Sequence, residues 1–509
     1  MKNKLFRDIS FNTIQVLVNQ FLGIAVFLLI SRYLDKPAFG ELSWSLAVLT
    51  FITAILSLRL EEVIVRNVAA GNDPSAMLTL FMGHNLVTGI SFFLLLSAGN
   101  YWFPAFFTRH SLLWVLSISQ LLSFFSLPFR QLVTGRAAFG WLAVLSSMAN
   151  LIRAAWLLWI ILFSTMTLFR VLLIFTVSSM AEFLVGGYIV FRRLHIPFSR
   201  KERFPDYGRL IRSSLPQLGV VMLNAGIARM DWILLGIFTN ASRTAEYSFA
   251  YKAFELSPLP LIILAPLLLN RFSRGNASSS GSPAGAGELV VSRGAAGAGA
   301  EPVWLDLLIR WEMVAATLLP LLLNIAWSPF VDALTHNKYG QVNAFTFLIL
   351  SCCIPFQYLI NVIWTHEFAA NKLGRIFRIT AITAAVILTG DLLLIPRYAG
   401  QGAALAYLAG MIVQYLLYNR YSSLSYPKEW GSHLLVPVAI AICSGLPAIW
   451  LTTALIPRLL IAAGLYSILI YITGKVRVGD LPMLRVWLFG SRNGPVPAIT
   501  DKIYYHEVE

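Results

Sequence analysis

The feature that most constrains this chain is a succession of fourteen apolar runs, each roughly 18 to 27 residues long. An α-helix rises 1.5 Å per residue, so about 20 residues cross the roughly 30 Å of a bilayer's hydrocarbon core. The runs lack the alternating pattern of an outer-membrane barrel, and their backbone hydrogen bonds must therefore close within each helix. The sequence thus predicts an all-α polytopic membrane protein with about 14 transmembrane helices, at 11–33, 40–58, 77–98, 110–133, 141–163, 169–191, 213–238, 246–272, 306–330, 344–365, 376–395, 402–420, 432–453 and 457–474.

Composition leaves little room for a catalytic domain outside these runs. The 509 residues are 57% hydrophobic and 12% charged, whereas about a quarter of a soluble domain is charged. No Walker-type phosphate loop, His-Glu-x-x-His motif or paired-cysteine spacing occurs in the sequence, and its three cysteines all fall in apolar runs. We therefore expect neither an enzyme nor a resident metal or cofactor.

Lysine and arginine are distributed unequally between the two sides of the predicted bundle. If the N-terminus is cytoplasmic, 28 of the 39 basic residues lie in inside segments, 8 in outside segments and 3 within spans. Basic residues accumulate in cytoplasmic loops of membrane proteins, so both termini are predicted to be cytoplasmic. The net charge of +15 is explained by this topology and by contact with anionic membrane lipids, and nucleic acid is not expected as a partner.

Charged residues also occur near the middle of predicted spans, where each costs roughly 2.5–3.5 kcal/mol on insertion scales and indicates a functional site. The residues in question are Arg153, Glu182, Arg229, Asp231, Lys252 and Glu255. Lys252 and Glu255 are three apart and can form a pair, whereas Arg229 lies about 200° around its helix from Asp231. Two interpretations remain open: Arg153 and Arg229 bind phosphate in a cavity, or each neutralises a carboxylate such as Glu182 or Asp231.

A short internal repeat divides the chain. Phe39-Gly-Glu-Leu-Ser-Trp-Ser45, opening the second span, resembles Thr244-Ala-Glu-Tyr-Ser-Phe-Ala250, opening the eighth, at an offset of 205. Six spans separate the copies, so the repeats share one orientation and are related by an axis along the membrane normal. The predicted organisation is an N-terminal lobe (1–191), a basic cytoplasmic loop (192–212), a C-terminal lobe (213–420) with a flexible Gly/Ala/Ser linker (275–301), two further spans (421–474) and a cytoplasmic tail (475–509).

Several motifs resemble a known family. They are Ser31-Arg-Tyr-Leu34 with Phe39-Gly40, Ser214-Leu-Pro216, Asp231-Trp-Ile-Leu-Leu-Gly236 leading to Glu246-Tyr247 and Ala250-Tyr-Lys252, and Leu394-Ile-Pro-Arg-Tyr398 followed by Gly400 and Gly402. In this order the sequence resembles the polysaccharide-exporting branch of the multidrug/oligosaccharidyl-lipid/polysaccharide (MOP) exporter superfamily, the O-antigen-type flippases. The resemblance implies two six-helix lobes in pseudo-twofold arrangement around a cavity that opens alternately to either side, with two additional C-terminal helices. It also places Arg32, Asp231 and Lys252 among the family's recurrent polar positions.

The resulting hypothesis is a bacterial inner-membrane flippase that moves an undecaprenyl-diphosphate-linked oligosaccharide, with a glycan polymerase or other assembly protein as a further partner. Substrate binding is assigned to Arg32, Arg153, Arg229 and Lys252; ion coupling or structural pairing is assigned to Glu182, Asp231 and Glu255. One alternative is a cation-coupled multidrug antiporter of the same superfamily. Another is a membrane glycan polymerase or ligase, which ranks lower because no predicted outside loop exceeds about 15 residues.

Overall fold

The computed structural model describes residues 2–199, 204–261, 264–265, 268–269, 272–273, 303–422 and 430–476. The predicted linker (275–301) and most of the tail (477–509) lie outside these ranges, as does part of the basic loop (200–203). In the N-terminal half the helices are α1 (Lys2–Tyr33), α2 (Lys36–Leu56), α3 (Leu60–Ala69), α4 (Pro74–Trp102), α5 (Pro104–Arg109), α6 (Ser111–Gly135), α7 (Phe139–Phe163) and α8 (Leu168–Tyr188).

The second half is helical in the same manner. Its helices within the described ranges are α9 (Phe204–Phe238), α10 (Ala241–Phe254), α11 (Val303–Thr335), α12 (Ala344–Ser351), α13 (Ile354–Ala369), α14 (Leu373–Tyr421), α15 (Trp430–Leu451) and α16 (Leu455–Ile472). No strand occurs in the described part of the chain. The predicted all-α fold class is confirmed.

Within the described ranges, twelve helical segments are long and apolar enough to cross a membrane. One of them, α14, is 49 residues long and contains two predicted spans, because its backbone leaves helical geometry at Ala399 (φ 48°, ψ −127°). The remaining predicted span, 246–272, falls on α10 and on the helical residues described between 259 and 273. The prediction of about 14 transmembrane helices therefore agrees with the helices observed.

Local sequence signals set where the helices begin. Asp35 precedes α2 and its carboxylate accepts a hydrogen bond from the Ala38 amide at 3.3 Å, with Pro37 in the first turn. Asn240 caps α10 in the same way, through a 2.9 Å bond from the Arg243 amide. Both caps satisfy backbone donors that a helix start leaves unpaired. The two copies of the sequence repeat consequently begin at equivalent points of their helices.

Large apolar side chains face outward along the spans. Leu95 is 71% exposed and Trp450 is 87% exposed. Such exposure is costly in water but suits lipid, which is as apolar as these side chains. Helix α3, by contrast, is too short to span, and its apolar residues Leu60 and Ile64 are fully buried against the bundle. The apolar face of α3 therefore packs on protein.

Candidate functional site

A polar cavity of about 400 Å³ lies within the N-terminal half, and we call it the N-terminal cavity. Its walls come from α1, α2, α3, α6, α7 and α8. The polar lining residues are Asn19, Thr50, Thr53, Glu61, Gln120, Ser123, Arg130, Ser146, Asn150, Arg153 and Glu182. These positions run from the middle of the spans to their predicted inside ends. A cavity of this size, with convergent polar groups, is a ligand-site candidate.

Arg153 is held in this cavity by neutral groups. Its Nε donates to Ser178 Oγ at 2.8 Å and its Nη2 to Ser179 Oγ at 3.3 Å. The guanidinium also lies 4.5 Å from the centre of the Phe175 ring. Among the residues that the structure describes, no carboxylate comes within ion-pair distance of Arg153. The side chain is thus positioned by hydroxyls while its charge has no direct counter-ion.

Glu182 has a different partner from the one the sequence suggested. Its carboxylate accepts from Arg130, near the predicted inside end of α6, and from Ser126 Oγ at 3.1 Å. The structural ion pair between Arg153 and Glu182 that we considered is therefore not formed. Sequence reasoning counted Arg130 only as a loop charge, because it lies close to the end of its span. The Arg130–Glu182 pair neutralises itself, and the net positive charge stays on Arg153.

A second acid lies at the opening of the N-terminal cavity. Glu61 belongs to the short helix α3, outside the membrane-spanning segments, and lines the cavity wall. Burial raises the pKa of its carboxyl above the usual range, and the nearby Arg59 guanidinium opposes part of that rise.

The C-terminal half contains a three-residue charge cluster. Arg229 Nη1 lies 2.9 Å from Glu255 Oε1, and Lys252 Nζ lies 2.8 Å from Glu255 Oε2. Lys252 and Glu255 thus form the pair that their spacing of three residues allows. Arg229 pairs with Glu255 and not with Asp231. Glu255 sits in a turn that interrupts the helix after Phe254. Two cations share one anion, which leaves the cluster with a net positive charge.

Asp231 is the most buried acid of the predicted set. It is 1% exposed, and its carboxylate accepts from the Tyr247 hydroxyl and from the Trp232 amide, the latter at 2.7 Å. Asp391 of α14 is also fully buried and lies close enough to interact electrostatically with Asp231. Neither Asp391 oxygen has a hydrogen-bond partner within the described structure. Sequence reasoning missed Asp391, although a lone acid inside the apolar run 376–395 was a sufficient signal.

Arg32 lies apart from the other predicted residues, at the predicted outside end of α1. Its Nη1 donates to the Leu334 carbonyl oxygen at 2.8 Å. Lys338 Nζ in turn donates to the Arg32 carbonyl oxygen at 2.6 Å. These bonds tie the end of α1 to the end of α11 and to the loop after it. Arg32 does not line the N-terminal cavity, and its assignment to substrate binding stays a prediction.

At this predicted outside end the two halves are packed closely together. Lys36 Nζ of α2 lies 2.7 Å from Glu246 Oε1 of α10, and Trp44 Nε1 donates to the Ile233 carbonyl oxygen at 3.0 Å. A side chain at Gly40 would overlap the Ala241 carbonyl oxygen. The two copies of the sequence repeat therefore face each other. Because the N-terminal cavity lies toward the other end, this conformation is closed on the predicted outside.

The Lys36–Glu246 pair should help to hold this closed conformation. A partly exposed ion pair contributes about 0.2–1 kcal/mol, so its loss in Lys36→Glu should lower the ratio of closed to open molecules by up to about fivefold. The measurement is the distance between spin labels at Thr108 and Gln341, both exposed at this end, in a chain whose cysteines are replaced by alanine. Combining Lys36→Glu with Glu246→Lys should restore the wild-type distance distribution. Equal opening in the single and double variants would exclude this role for the pair.

The helix arrangement defines a class of membrane protein. The structure resembles one described as "Lipid II flippase MurJ, inward closed conformation", with a TM-score of 0.68 and 14% identity over 91% of this chain and 98% of that one. It also resembles the Vibrio cholerae MATE transporter VcmN D35N mutant (TM-score 0.54, 13% identity, 82% and 96% covered). A third match is an inward-facing multidrug resistance MATE family transporter of the MOP superfamily (TM-score 0.57, 13% identity, 79% and 94% covered). The chain shares the fold of these flippase and transporter structures.

The family follows from the sequence comparison. A family model described as "Polysaccharide biosynthesis protein" matches residues 5–268, more than half of the chain. The chain belongs to this polysaccharide biosynthesis protein family, and the resemblance drawn from its motifs is confirmed. A comparison with curated proteins found no match.

Proposed function

We propose that the protein is a flippase that moves an undecaprenyl-diphosphate-linked oligosaccharide from the inner to the outer leaflet of the bacterial inner membrane, for surface polysaccharide biosynthesis. The observation that carries the proposal is Arg153, a guanidinium that forms no direct ion pair within the described residues and lines a polar cavity of about 400 Å³. Guanidinium groups suit phosphate because their planar donors can bind two oxygens at once. Membership of the polysaccharide biosynthesis family supports the glycan part of the proposal.

In this proposal the substrate crosses the membrane by alternating access. The polar head enters the N-terminal cavity from the cytoplasmic side while the outside end is closed by α2 and α10. The polyprenyl tail stays in lipid, because transferring it into a polar cavity would lose the hydrophobic free energy of its many methylene groups. Arg229 and Lys252, whose cluster with Glu255 is net positive, are the second proposed contact for the diphosphate or for acidic sugars.

The orientation belongs to the same proposal. Both termini are cytoplasmic, with lobes at 1–191 and 213–420 joined by the basic loop 192–212, as the distribution of lysine and arginine supports. In this orientation the N-terminal cavity opens toward the leaflet where lipid-linked precursors are made.

Asp231 and Asp391 are the proposed coupling site, at which a bound proton or other cation changes with the conformation. Two buried carboxylates that interact cannot both be ionised without a compensating cation. We expect Asp391→Asn to reduce translocation driven by a proton or sodium gradient at least tenfold while leaving substrate binding unchanged. The measurement is gradient-driven translocation in reconstituted vesicles. Asp73→Asn is the control, because asparagine keeps the helix cap that Asp73 provides.

If Asp391→Asn transports normally under each imposed gradient, the coupling role is excluded. The same acidic pair is the observation that favours a second candidate, a cation-coupled multidrug antiporter. That function predicts cation-dependent drug resistance in cells that express the chain, and no change in glycolipids when it is removed.

Depletion of the protein followed by lipid analysis tests the proposed function in the cell. We expect a polyprenyl-diphosphate glycan to accumulate, and to be accessible only from the cytoplasmic side of the membrane. Re-expression of the wild-type chain should reverse the accumulation. Unchanged glycolipids together with a change in drug resistance would contradict the flippase proposal and support the antiporter.

A further inference from the structure

The C-terminal half has a cavity of its own, of about 380 Å³, which we call the C-terminal cavity. Its walls are formed by residues of α9, α13 and the second part of α14, and by Pro258, Leu261 and Ala265, which follow α10. Its polar and aromatic lining residues are Asn224, Gln357, Asn361, Gln414, Trp364 and Tyr407. The volume falls within the range of about 300–1,000 Å³ that small-molecule sites occupy.

The two cavities occupy equivalent places in the internal repeat. The offset of 205 residues that relates the repeated motifs also places Asn19 on Asn224, and each asparagine lines the cavity of its own half. The fourth span of each half supplies a glutamine, Gln120 in α6 and Gln357 in α13. The C-terminal cavity is therefore the counterpart of the N-terminal cavity.

The chemistry of the two cavities is different. Arginine and glutamate line the N-terminal cavity, whereas the described lining of the C-terminal cavity contains no charged side chain. Its polar members are four amides, which offer both donors and acceptors. A ligand of this surface is accordingly neutral, since neither an anion nor a cation would find a partner of opposite charge.

Two of the amide atoms are left without partners. Gln357 Oε1 and Asn361 Nδ2 are buried, and neither forms a hydrogen bond within the described structure. Gln357 Nε2, by contrast, reaches the Tyr407 hydroxyl at 3.3 Å. The two side chains that carry these atoms, Gln357 and Asn361, line the same cavity as Trp364. A buried polar atom without a partner is unfavourable, and a ligand that bonds both atoms would relieve that cost.

We propose that the C-terminal cavity binds uncharged sugar residues of the transported glycolipid. Sugar hydroxyls donate and accept hydrogen bonds, as Asn361 Nδ2 and Gln357 Oε1 require, and the C–H face of a pyranose packs on an aromatic ring such as Trp364. An apolar drug would leave the amides unpaired. The inference rests on the proposed function, in which the charged N-terminal cavity takes the diphosphate, and it assigns the two parts of one substrate to the two halves of the protein.

The test is the affinity of the purified full chain for two soluble probes, farnesyl diphosphate and the same diphosphate carrying N-acetylglucosamine. Wild type should bind the sugar-bearing probe at least about fivefold more tightly, the equivalent of one neutral hydrogen bond. Asn361→Leu and Gln357→Leu should each remove that gain and leave the affinity for farnesyl diphosphate unchanged. Gln401→Leu, at an exposed position on α14, is the matched control and should keep the gain.

Three results would overturn the inference. If the sugar adds no affinity in wild type while farnesyl diphosphate binds, the C-terminal cavity is not a sugar site although the proposed function stands. If the leucine variants retain the gain, the sugar binds elsewhere. If neither probe binds, the proposed function fails as well. Should a variant not fold, as judged by size-exclusion chromatography, Gln414→Leu takes its place with the same expectation.

Discussion

Replacing Arg153 by glutamine is expected to lower translocation of the lipid-linked glycan by roughly 10- to 150-fold, which corresponds to the loss of one charged hydrogen bond of about 1.5–3 kcal/mol. The guanidinium has hydroxyl partners at 2.8 and 3.3 Å, and no described carboxylate pairs with it. Its removal therefore leaves no buried acid unpaired, and the fold should survive. Glutamine can still form a hydrogen bond to Ser178. The lower rate should therefore come from the lost interaction with the charge of the substrate. The measurement is the initial rate of translocation in reconstituted vesicles.

Arg170→Gln is the matched control for this variant. Arg170 is near the predicted outside end of α8, where it bonds Ser164 and the Thr165 carbonyl oxygen, away from both cavities. Its variant should transport at the wild-type rate. Arg153→Lys should retain part of the activity, because lysine keeps the charge but loses the planar pair of donors. Equal rates for wild type and Arg153→Gln would show that Arg153 does not meet the substrate.

Replacing Gly40 by valine should abolish transport almost completely while leaving the protein folded. Any Cβ at this position overlaps the Ala241 carbonyl oxygen, so α2 and α10 cannot approach as they do in the closed outside end. A transporter that cannot close on one side cannot complete its cycle. We expect the spin-label distance between Thr108 and Gln341 to lengthen in Gly40→Val and translocation to fall at least 100-fold.

Gly83→Val controls for the substitution itself, because nothing lies within 4 Å of a Cβ at Gly83. Gly83→Val should change neither the spin-label distance between Thr108 and Gln341 nor the rate of translocation. A Gly40→Val protein with the wild-type distance and rate would mean that the contact between α2 and α10 is not required. Gly236, against which Trp44 packs, offers the same test from the opposite half of the protein.

The number and extent of the spans could be predicted because each span is an apolar run long enough to cross a membrane as a helix. The starts of α2 and α10 carry local capping residues, Asp35 and Asn240. The pairing of Lys252 with Glu255 also depends only on positions within one short segment. Features that depend on the residues of one segment could therefore be predicted from the sequence.

Contacts between helices could not be predicted in this way. Arg153 and Glu182 lie at similar depths in neighbouring spans, yet the rotation of α6 and α8 places Arg130 against Glu182 instead. Depth along a helix does not give rotation about its axis. For the same reason, the sequence could not show that Arg229 pairs with Glu255 and not with Asp231.

The C-terminal cavity escaped sequence analysis for a different reason. Asn361 and Gln357 carry no charge, so within an apolar span they give no strong signal. Only the structure reveals that their amide atoms line a common space and lack partners. The charged residues of the spans therefore indicate only the charged half of the proposed substrate site.

The most direct test of the flippase proposal uses vesicles that contain the purified chain and a fluorescent polyprenyl-diphosphate saccharide in both leaflets. A membrane-impermeant reductant quenches only the outer leaflet, so translocation appears as additional loss of fluorescence. The proposal predicts loss well beyond half of the signal with the wild-type chain, and loss of about half with Arg153→Gln on the same time scale. Quenching that stops at one half with the wild-type chain, under every imposed ion gradient, would contradict it.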